Sequence, residues 1–378
     1  MINPLVYMEK VVRSFLRYQL TTYPFADDRL NARMRKLLSL EETRNTPLLK
    51  GPFISLSRAF AAGATVEKLV HDGILHPHLK QIVSFPAVYG HQEEAVRAIH
   101  GGKTTLISTG TGSGKSECFL YPIISKCLEL RDQKAPPGIC AVVVYPMNAL
   151  AEDQLGRLRE LLAGSGVSFG MYVGKTPEKE ADVTGRRLPT GSSRADYQKE
   201  LEELRRIGSG VGVHPHEEVC SREVMRTPGK QPRILLTNVK QLELLLTRQK
   251  DIELFDNARL DFLVFDEAHT FTGAEGAESA CLVRRLRSYC GREAHQTVCV
   301  ATSATIFDPN DTESAKTFAA RFFGADPTTV ATVREVYEKE VWADKRKIPH
   351  APKKPPAFLE QVRKAIDSDE PAKALTAI

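Results

Sequence analysis

The sequence predicts an α/β fold in which helices cover both faces of a mostly parallel sheet. From about residue 90, apolar strand-like runs alternate with amphipathic helical segments. The runs are continuous in Val, Ile and Leu, which is typical of parallel strands that are buried on both faces. A small helical region precedes this alternation, so we expect one large α/β domain with an N-terminal accessory region.

The composition is that of a globular protein, with 42% hydrophobic and 26% charged residues. No apolar run reaches the roughly 20 residues that a membrane-spanning helix needs. The seven cysteines contain no C-x-x-C pair, so we interpret them as free thiols of a protein in a reducing cytoplasm. The net charge of +5 permits contact with nucleic-acid phosphates but does not demonstrate it.

The accessory region is predicted to span residues 1–85. Residues 5–20 and 29–40 carry apolar residues at helical spacing, with basic residues between them. The stretch TVEKLVHDGIL, which begins at Thr65, has the pattern of a capped amphipathic helix. Prolines and glycines punctuate the rest, which indicates short helices and turns.

The α/β domain is predicted to span residues 86–325. A polar insertion at 174–232, dotted with Gly and Pro, interrupts its rhythm, and residues 326–378 have the composition of a Pro/Lys-containing linker. Helical patterns such as SECFLYPIISKCLEL and NALAEDQLGRLRELL separate the strand-like runs. These runs are 104–109, 139–146, 167–173, 233–238, 260–267 and 296–305.

The stretch STGTGSGKSE is a glycine-rich turn between a strand and a helix. Its glycines let successive backbone N–H groups face one anion, and the helix N-terminus adds its dipole. Lys115 would reach the β- and γ-phosphates of ATP, and the Ser116 hydroxyl would hold Mg²⁺. Thr109 stands where the pattern G-x-x-x-x-G-K-[ST] has its first glycine. The predicted ATP-binding residues of this phosphate loop are Thr109, Gly110, Thr111, Gly112, Ser113, Gly114, Lys115 and Ser116.

The stretch LVFDEAHT ends a strand in two adjacent acids. Taken alone it is equally compatible with a solvated turn. After a phosphate loop in a parallel sheet, however, its carboxylates would face the crevice in which such sheets bind ligands. Asp266 is then placed to hold Mg²⁺ and Glu267 to polarise the attacking water. Because neighbouring strand residues point to opposite faces, the turn after Asp266 must redirect Glu267.

These two motifs and four others, in this order, resemble those of superfamily 2 DExH helicases, specifically the DEAH branch around the MrfA and Hrq-type DNA helicases. The resemblance covers about residues 46–325 and implies an ATP- and Mg²⁺-binding RecA-like lobe. Its motifs are AVYGHQEEAV, STGTGSGKSE, VYPMNALAEDQ, LLTNVKQLELLL, DEAH and SAT.

The resemblance also assigns roles to residues outside the phosphate loop. Gln92 would read the adenine edge and Tyr89 would stack on the base, although Tyr89 also fits a core position. Motifs at strand-to-helix turns are suited to gripping the phosphates of a single strand without reading its bases. The candidates are Asn148, Thr237 and Asn238 for this grip, Ser303 and Thr305 for coupling it to the nucleotide, and His269 beside the catalytic acids.

A narrower resemblance points to bacterial phage defence. The stretch LLKGPFISLSRAFAAGATVEKLVHDGILHPHL is similar to the large helicases of systems such as DISARM and Druantia. We therefore expect the N-terminal lobe of an ATP-dependent DNA helicase or translocase in antiviral defence. The alternatives are a DNA-repair helicase of the MrfA/Hrq type and a separately encoded, nucleotide-dependent binding module without turnover of its own.

The expected partners are single-stranded or partly duplex DNA, with RNA left open because backbone-gripping motifs do not distinguish the two. The resemblance implies 3′-to-5′ movement and defence-system partner proteins, and the lack of a long apolar run predicts no membrane partner. A second RecA-like lobe is also expected, in a C-terminal part or in a separate chain. The 73 residues after Thr305 are too few to form it. That lobe supplies the arginine finger, so we expect this chain alone to be weakly active or inactive.

A possible zinc site in VHPHEEVC is disfavoured. His214, His216 and Cys220 offer donor atoms at short spacing. A structural zinc ion takes four ligands, and no partnering pair supplies the remainder.

Overall fold

A computed structural model describes residues 4–22, 24–38, 58–110, 112–208, 211–304, 312–338 and 355–367. Its strands are β1 (Ala62–Thr65), β2 (Ala87–Tyr89), β3 (Thr104–Ser108), β4 (Ala141–Tyr145), β5 (Phe169–Met171), β6 (Arg186–Arg187), β7 (Val213–His214), β8 (Glu218–Val219), β9 (Ile234–Asn238), β10 (Phe262–Phe265), β11 (Val298–Ser303) and β12 (Val330–Arg334).

Helices make up most of the remaining regular structure. The α-helices are α1 (Pro4–Thr22), α2 (Asp28–Leu38), α3 (Val66–His71), α4 (Leu79–Ile82), α5 (Gly90–His100), α6 (Lys115–Asp132), α7 (Asn148–Leu162), α8 (Arg194–Arg206), α9 (Arg222–Arg226), α10 (Val239–Thr247), α11 (Gln249–Ile252), α12 (Gly273–Tyr289), α13 (Thr312–Phe323) and α14 (Pro355–Ile366). Turns of 3₁₀-helix lie at Glu180–Asp182, Glu253–Phe255, Ala268–Thr270, Ala294–Gln296 and Pro327–Thr329.

The chain divides into two compact units. The larger unit is Ala59–Lys339 and contains every strand of the described residues. The smaller unit combines Met1–Arg58 with Glu340–Ile378, and its described elements are α1, α2 and α14. Within the described residues, no helix is both long enough and apolar enough to cross a membrane. All seven cysteines are free.

The larger unit is built on an eight-stranded sheet in the order β12-β3-β11-β10-β4-β9-β5-β8. Every pairing within it is parallel. Strands β1 and β2 form a separate antiparallel pair, and β6 and β7 a separate parallel pair. The predicted fold class, a parallel sheet covered by helices, is confirmed.

Alternating residues of the central strands divide between two apolar cores, because successive strand side chains point to opposite faces. In β10, Val264 packs into a core with α5, α6 and α7, whereas Leu263 and Phe265 pack into the other with α10, α12 and α13. Burial on both faces explains why the strands read as unbroken apolar runs.

The six strand-like runs of the sequence correspond to β3, β4, β5, β9, β10 and β11. Strands β8 and β12 were not indicated by the sequence. Strand β8 has only two residues, too few for a periodic pattern, and it lies inside the polar insertion. Strand β12 lies in the stretch with linker-like composition, yet it pairs along its whole length with β3. Both strands form because they pair with a neighbouring strand, and no local sequence pattern indicates either of them.

Because the strands are parallel, their carboxyl ends lie at one edge of the sheet. Strand β3 ends at Ser108 directly before the phosphate loop, and β10 ends at Phe265 directly before the two acids. Strand β11 lies between them, with Ser303 paired to Ser108 and Ala301 to Phe265. The motifs therefore converge at this edge.

The insertion is anchored to the main unit by a buried charged cluster. Arg159 on α7 donates two hydrogen bonds, of 2.6 and 2.7 Å, to the Glu218 carboxylate. His214 places Nδ1 3.0 Å from Glu218 Oε2 and Nε2 3.0 Å from the Thr184 carbonyl oxygen. Hydrogen bonding to Cys220 and Glu218 raises the pKa of His214 to about 10, so its imidazolium donates from both ring nitrogens.

The same cluster bears on the disfavoured zinc site. His214, Glu218 and Cys220 offer donor atoms that all lie within 4.8 Å of one another. His216 is not among them, and its Nδ1 lies 3.3 Å from Thr190 Oγ1 instead. The Glu218 carboxylate accepts two hydrogen bonds from the Arg159 guanidinium. The described geometry is therefore that of an ion-pair cluster.

Titration of His214 should make the stability of this chain depend on pH. The folded-state pKa of about 10 lies above the ordinary value of 6.5. The stabilisation is therefore fully present below pH 6.5 and lost as the pH rises toward 10. We expect the thermal midpoint of the chain to exceed that of His214→Gln below pH 6.5 and to approach it at high pH. The exposed His216 provides the control: His216→Gln should track the wild-type chain, and a pH-independent gap for His214→Gln would contradict the assignment.

Candidate nucleotide site and nucleic-acid edge

The phosphate loop connects β3 to the N-terminus of α6. Gly112 and Gly114 have φ angles of 80° and 77°, in the left-handed region that favours glycine. A side chain at Gly114 would also collide with the Gln92 amide. The first N–H groups of α6 have no intrahelical partner and, together with the helix dipole, form an anion-binding end.

Thr109, which replaces the first glycine of the pattern, is buried and ties the loop together. Its N–H donates to the Ser303 carbonyl oxygen at 3.1 Å, and its Oγ1 lies 2.7 Å from Ser113 Oγ. The Ser113 hydroxyl also lies 2.9 Å from the Gly110 carbonyl oxygen. These bonds close the loop on itself and join it to the end of β11.

Gln92 links the expected adenine pocket to the phosphate loop. Its side-chain oxygen accepts a hydrogen bond from the Tyr89 N–H at 2.8 Å, and its amide nitrogen donates to the Gly114 carbonyl oxygen at 3.0 Å. Tyr89 is 43% exposed as a residue, and its ring stacks on His91 with the ring centroids 5.7 Å apart. The exposed ring is accessible to a base; the role of both residues in reading adenine stays a prediction.

Lys115 and Glu267 form an ion pair, with Nζ 3.1 Å from Oε1. Glu267 has a φ angle of 50°, an uncommon conformation for a residue with a side chain. This left-handed turn redirects the Glu267 side chain toward the phosphate loop, as the sequence required. Two residues 152 positions apart in the chain are thereby joined at the sheet edge.

Thr302 supports both acids. Its hydroxyl donates to the Asp266 carboxylate and accepts the Glu267 N–H at 3.0 Å. Burial raises the pKa of the Asp266 carboxyl, the Thr302 hydrogen bond opposes this, and the charge of Glu267 adds to it. Thr302 thus fixes the backbone of one acid and the side chain of the other.

His269 lies beside the acids. Its Nδ1 is 3.3 Å from Glu267 Oε2 and 3.5 Å from Ser303 Oγ. Ser303 is fully buried at the end of β11. The remaining predicted residues of these motifs, Thr111 and Thr305, lie outside the described residues.

The predicted nucleic-acid contacts lie at the ends of β4 and β9. The Asn238 side chain donates to Asn148 Oδ1 at 2.6 Å and accepts the Gln241 N–H at 2.7 Å, which caps α10. The two asparagines therefore form one polar pair across neighbouring strands. Thr237 is fully buried, and its hydroxyl donates to the Tyr172 carbonyl oxygen at 2.8 Å.

No role was predicted from the sequence for Thr302, His91 or Glu335. Thr302 could have been found, because aligning β11 with β10 places it next to Asp266. His91 adjoins Gln92, and its Nε2 lies 2.9 Å from the Ser113 carbonyl oxygen. No local signal points to Glu335, whose carboxylate accepts the Gly110 N–H at 2.7 Å across 225 residues.

The site fits a nucleotide polyphosphate with a divalent cation. Glu267 Oε2 is buried and makes no hydrogen bond within the described residues; its neighbour His269 Nδ1 lies 3.3 Å away. A lysine, a helix N-terminus and glycine-rich backbone are the groups that would contact the phosphates. Ser116 and Asp266 carry oxygen donors of the kind that Mg²⁺ prefers and would hold the cation.

The DEAD/DEAH box helicase family matches residues 89–190 and 187–312. These matches span the phosphate loop, the acidic strand end and the end of β11. The chain belongs to this family. The predicted relationship to superfamily 2 helicases is therefore confirmed, and the helicase family to which it belongs uses ATP with a divalent metal.

Two kinds of relative accompany the family match. The Druantia protein DruE of Escherichia coli (strain UMEA 4076-1) is 28% identical over 391 residues, which cover 83% of this chain and 21% of DruE. The DEAD-box helicase Mss116 bound to ssRNA and UDP-BeF shares the fold, with 16% identity and a TM-score of 0.50 over 83% of this chain and 55% of that one. The DUF1998 helicase MrfA bound to DNA is 23% identical, with a TM-score of 0.48, over 73% of this chain and 29% of MrfA. The helicase chain thus spans about a fifth of the length of DruE.

Removing the Thr302 hydroxyl should destabilise the helicase chain. Thr302→Val keeps the shape of the side chain but leaves the Asp266 carboxylate and the Glu267 N–H without their shared partner. We expect the free energy of unfolding, measured by urea denaturation, to fall by about 1 to 3 kcal/mol. Thr302→Ser retains the hydroxyl, so its free energy of unfolding should fall distinctly less. Equal losses for the two variants would show that packing, not the hydroxyl, is responsible.

Proposed function

We propose that this chain is the ATP- and Mg²⁺-binding lobe of an ATP-dependent DNA helicase or translocase that acts in bacterial antiviral defence. The observation that carries the proposal is the ion pair between Lys115 of the phosphate loop and Glu267 of the acidic strand end. It brings the phosphate-binding cation and the water-orienting carboxylate to one point. The neighbouring Asp266 and Ser116 complete the donor set.

The ion pair suggests how nucleotide binding prepares the site. In the described structure the two charges neutralise each other at 3.1 Å. A polyphosphate would attract the Lys115 ammonium away from Glu267. The Glu267 carboxylate could then accept a hydrogen bond from the attacking water. Ser116 and Asp266 would hold Mg²⁺, which would supply Lewis-acid stabilisation of the phosphate charge. His269 lies close enough to Glu267 to orient its carboxylate.

The nucleic-acid part of the proposal rests on the Asn148–Asn238 pair at the same sheet edge. Side-chain amides there would contact the backbone of single-stranded or partly duplex DNA without reading its sequence. Ser303 and Thr305 would couple this contact to the nucleotide. We further propose that the lobe is the unit Ala59–Lys339, longer at both ends than the 86–325 predicted from the sequence, with the residues before it as an accessory region and those after it leading toward a second lobe. That lobe would provide the arginine finger, so this chain alone would turn over slowly or not at all.

The similarity to DruE supports a defence role, and with it we propose a cytoplasmic location and defence-system partner proteins. A DNA-repair helicase of the MrfA/Hrq type would use the same residues, so it remains the alternative role. The alternative class is a nucleotide-dependent binding module without turnover. It differs in one respect: in such a module Glu267 would be dispensable.

Nucleotide binding provides the first test. Lys115→Ala should reduce the affinity for a fluorescent ATP analogue with Mg²⁺ by at least about 100-fold, because a charge-assisted phosphate contact and loop order are both lost. Glu267→Gln should bind the analogue at least as tightly as the wild-type chain. Lys126→Ala, which removes a half-buried lysine of the same helix that pairs with Glu129, is the matched control. Retention of affinity by Lys115→Ala would contradict the proposed phosphate site.

Turnover distinguishes the motor from the binding module. With the second lobe present, in the same chain or added as a partner, we expect ATP hydrolysis that single-stranded DNA stimulates. Glu267→Gln should lower this rate by about 10² to 10⁴-fold, the range for loss of acid–base catalysis. If the complete protein binds ATP without hydrolysing it, and Glu267→Gln changes nothing, the chain is a binding module.

The asparagine pair provides a test of DNA binding. Asn148→Ala should weaken binding of a fluorescent single-stranded oligonucleotide by about 3- to 10-fold, the loss of one polar contact. Asn238→Asp keeps a cap for α10 but places a negative charge beside the phosphates, so it should weaken binding further. The effects should be equal for oligo-dT and oligo-dA, because the contacts are to the backbone. A loss confined to one base composition would contradict this assignment.

A further inference from the structure

Two segments that are distant in sequence meet beside the phosphate loop. Residues 335–338, here called the strap, continue directly from β12 and pair with residues 59–61. The Ala61 N–H donates to the Val336 carbonyl oxygen at 2.8 Å, and the Glu338 N–H donates to that of Ala59 at 2.9 Å. Phe60 and Tyr337 stack within this bridge, with ring centroids 5.4 Å apart.

The strap contacts the phosphate loop through Glu335. One carboxylate oxygen accepts the Gly110 N–H at 2.7 Å, and the other accepts the Tyr337 hydroxyl at 2.7 Å. Hydrogen bonds to a charged acceptor are about twice as strong as neutral ones. The carboxylate is thus oriented by the strap and holds the start of the loop.

The other end of the loop is held by His91 of α5, which packs against the segment that pairs with the strap. His91 Nε2 lies 2.9 Å from the Ser113 carbonyl oxygen, and burial lowers the pKa of His91, so the neutral ring donates this bond. The Phe60 ring packs against both His91 and Tyr337, at 5.3 and 5.4 Å. One aromatic residue therefore connects the two anchors of the loop.

Glycine-rich backbone loses much conformational entropy when it becomes ordered. A loop that is already ordered before the nucleotide binds loses less entropy on binding, so the affinity of the loop for nucleotide is higher. We propose that Glu335 is a positioning residue that presets the phosphate loop for nucleotide. Nucleotide affinity then depends on the docked strap, and nucleotide binding in turn stabilises docking by the same factor.

This inference rests on the proposed nucleotide site and identifies how its affinity is set. Charge and anchoring act in opposite directions on Glu335. The carboxylate repels phosphate, whereas its hydrogen bond to Gly110 orders the loop. Glu335→Gln keeps an acceptor oxygen and removes the charge, and Glu335→Ala removes both. Comparing the two separates the anchor from the charge.

The test is the Kd of the 378-residue chain for a fluorescent ADP analogue with Mg²⁺. Glu335→Ala should raise the Kd by about tenfold, the loss of one charge-assisted hydrogen bond. Glu335→Gln should stay within about threefold of the wild-type value. The matched control is Glu338→Ala, which removes the same charge from the strap away from the loop and should leave the Kd unchanged. Glu335→Ala with Tyr337→Phe should bind no more weakly than Glu335→Ala alone, because Tyr337 acts through Glu335.

Hydrogen exchange gives a second readout that simple destabilisation would not reproduce. Nucleotide should slow exchange of the Ala61 and Glu338 N–H groups in the wild-type chain but not in Glu335→Ala. A Glu335→Ala chain that binds as tightly as wild type, or more tightly, overturns the inference. If the wild-type chain itself binds no nucleotide, the proposed function fails. Wild-type binding that no Glu335 variant alters overturns only the role of Glu335.

Discussion

The parallel register of β3, β11 and β10 is the constraint on which the site depends. It aligns Ser108 with Ser303 and Phe265 with Ala301, so the loops that follow these strands begin at one edge. From this edge the Lys115 and Glu267 side chains meet at 3.1 Å. A shift in register would move the acids relative to the loop and turn the buried strand faces the wrong way. The same hydrophobic packing that stabilises the sheet therefore sets the geometry of the chemistry.

The site places several charged side chains where water is partly excluded. The fold offsets the cost of burying these charges with hydrogen-bond and ion-pair partners. Burial and the neighbouring charge of Glu267 both raise the pKa of the Asp266 carboxyl. The Thr302 hydroxyl contacts both residues, and Lys115 neutralises Glu267. These partners come from strands and loops of separate parts of the chain. The acids are thus held ready for a cation and a water by contacts that only the assembled sheet provides.

The phosphate loop is stabilised in the same way, from outside its own sequence. The loop joins itself to β11 through Thr109 and to α5 through Gln92. The strap adds Glu335 from the far end of the α/β unit. If nucleotide and strap are coupled, binding at the loop is communicated to the segment that follows β12. Such a coupling would make the conformation of the strap depend on whether nucleotide is bound.

Sequence alone determined the sheet class, the six central strands and the motifs at their ends. The reason is local: buried parallel strands are continuous apolar runs, and a glycine-rich turn before a helix has few other uses. It also predicted that Glu267 must turn out of its strand, which its left-handed conformation confirms. Tertiary structure decided the rest. Strand β12, the Thr302 bridge and the contact of Glu335 with Gly110 all depend on pairing between residues far apart in the chain. No pattern within a short window can encode them, because the partner that gives each residue its role is brought to it only when the sheet forms.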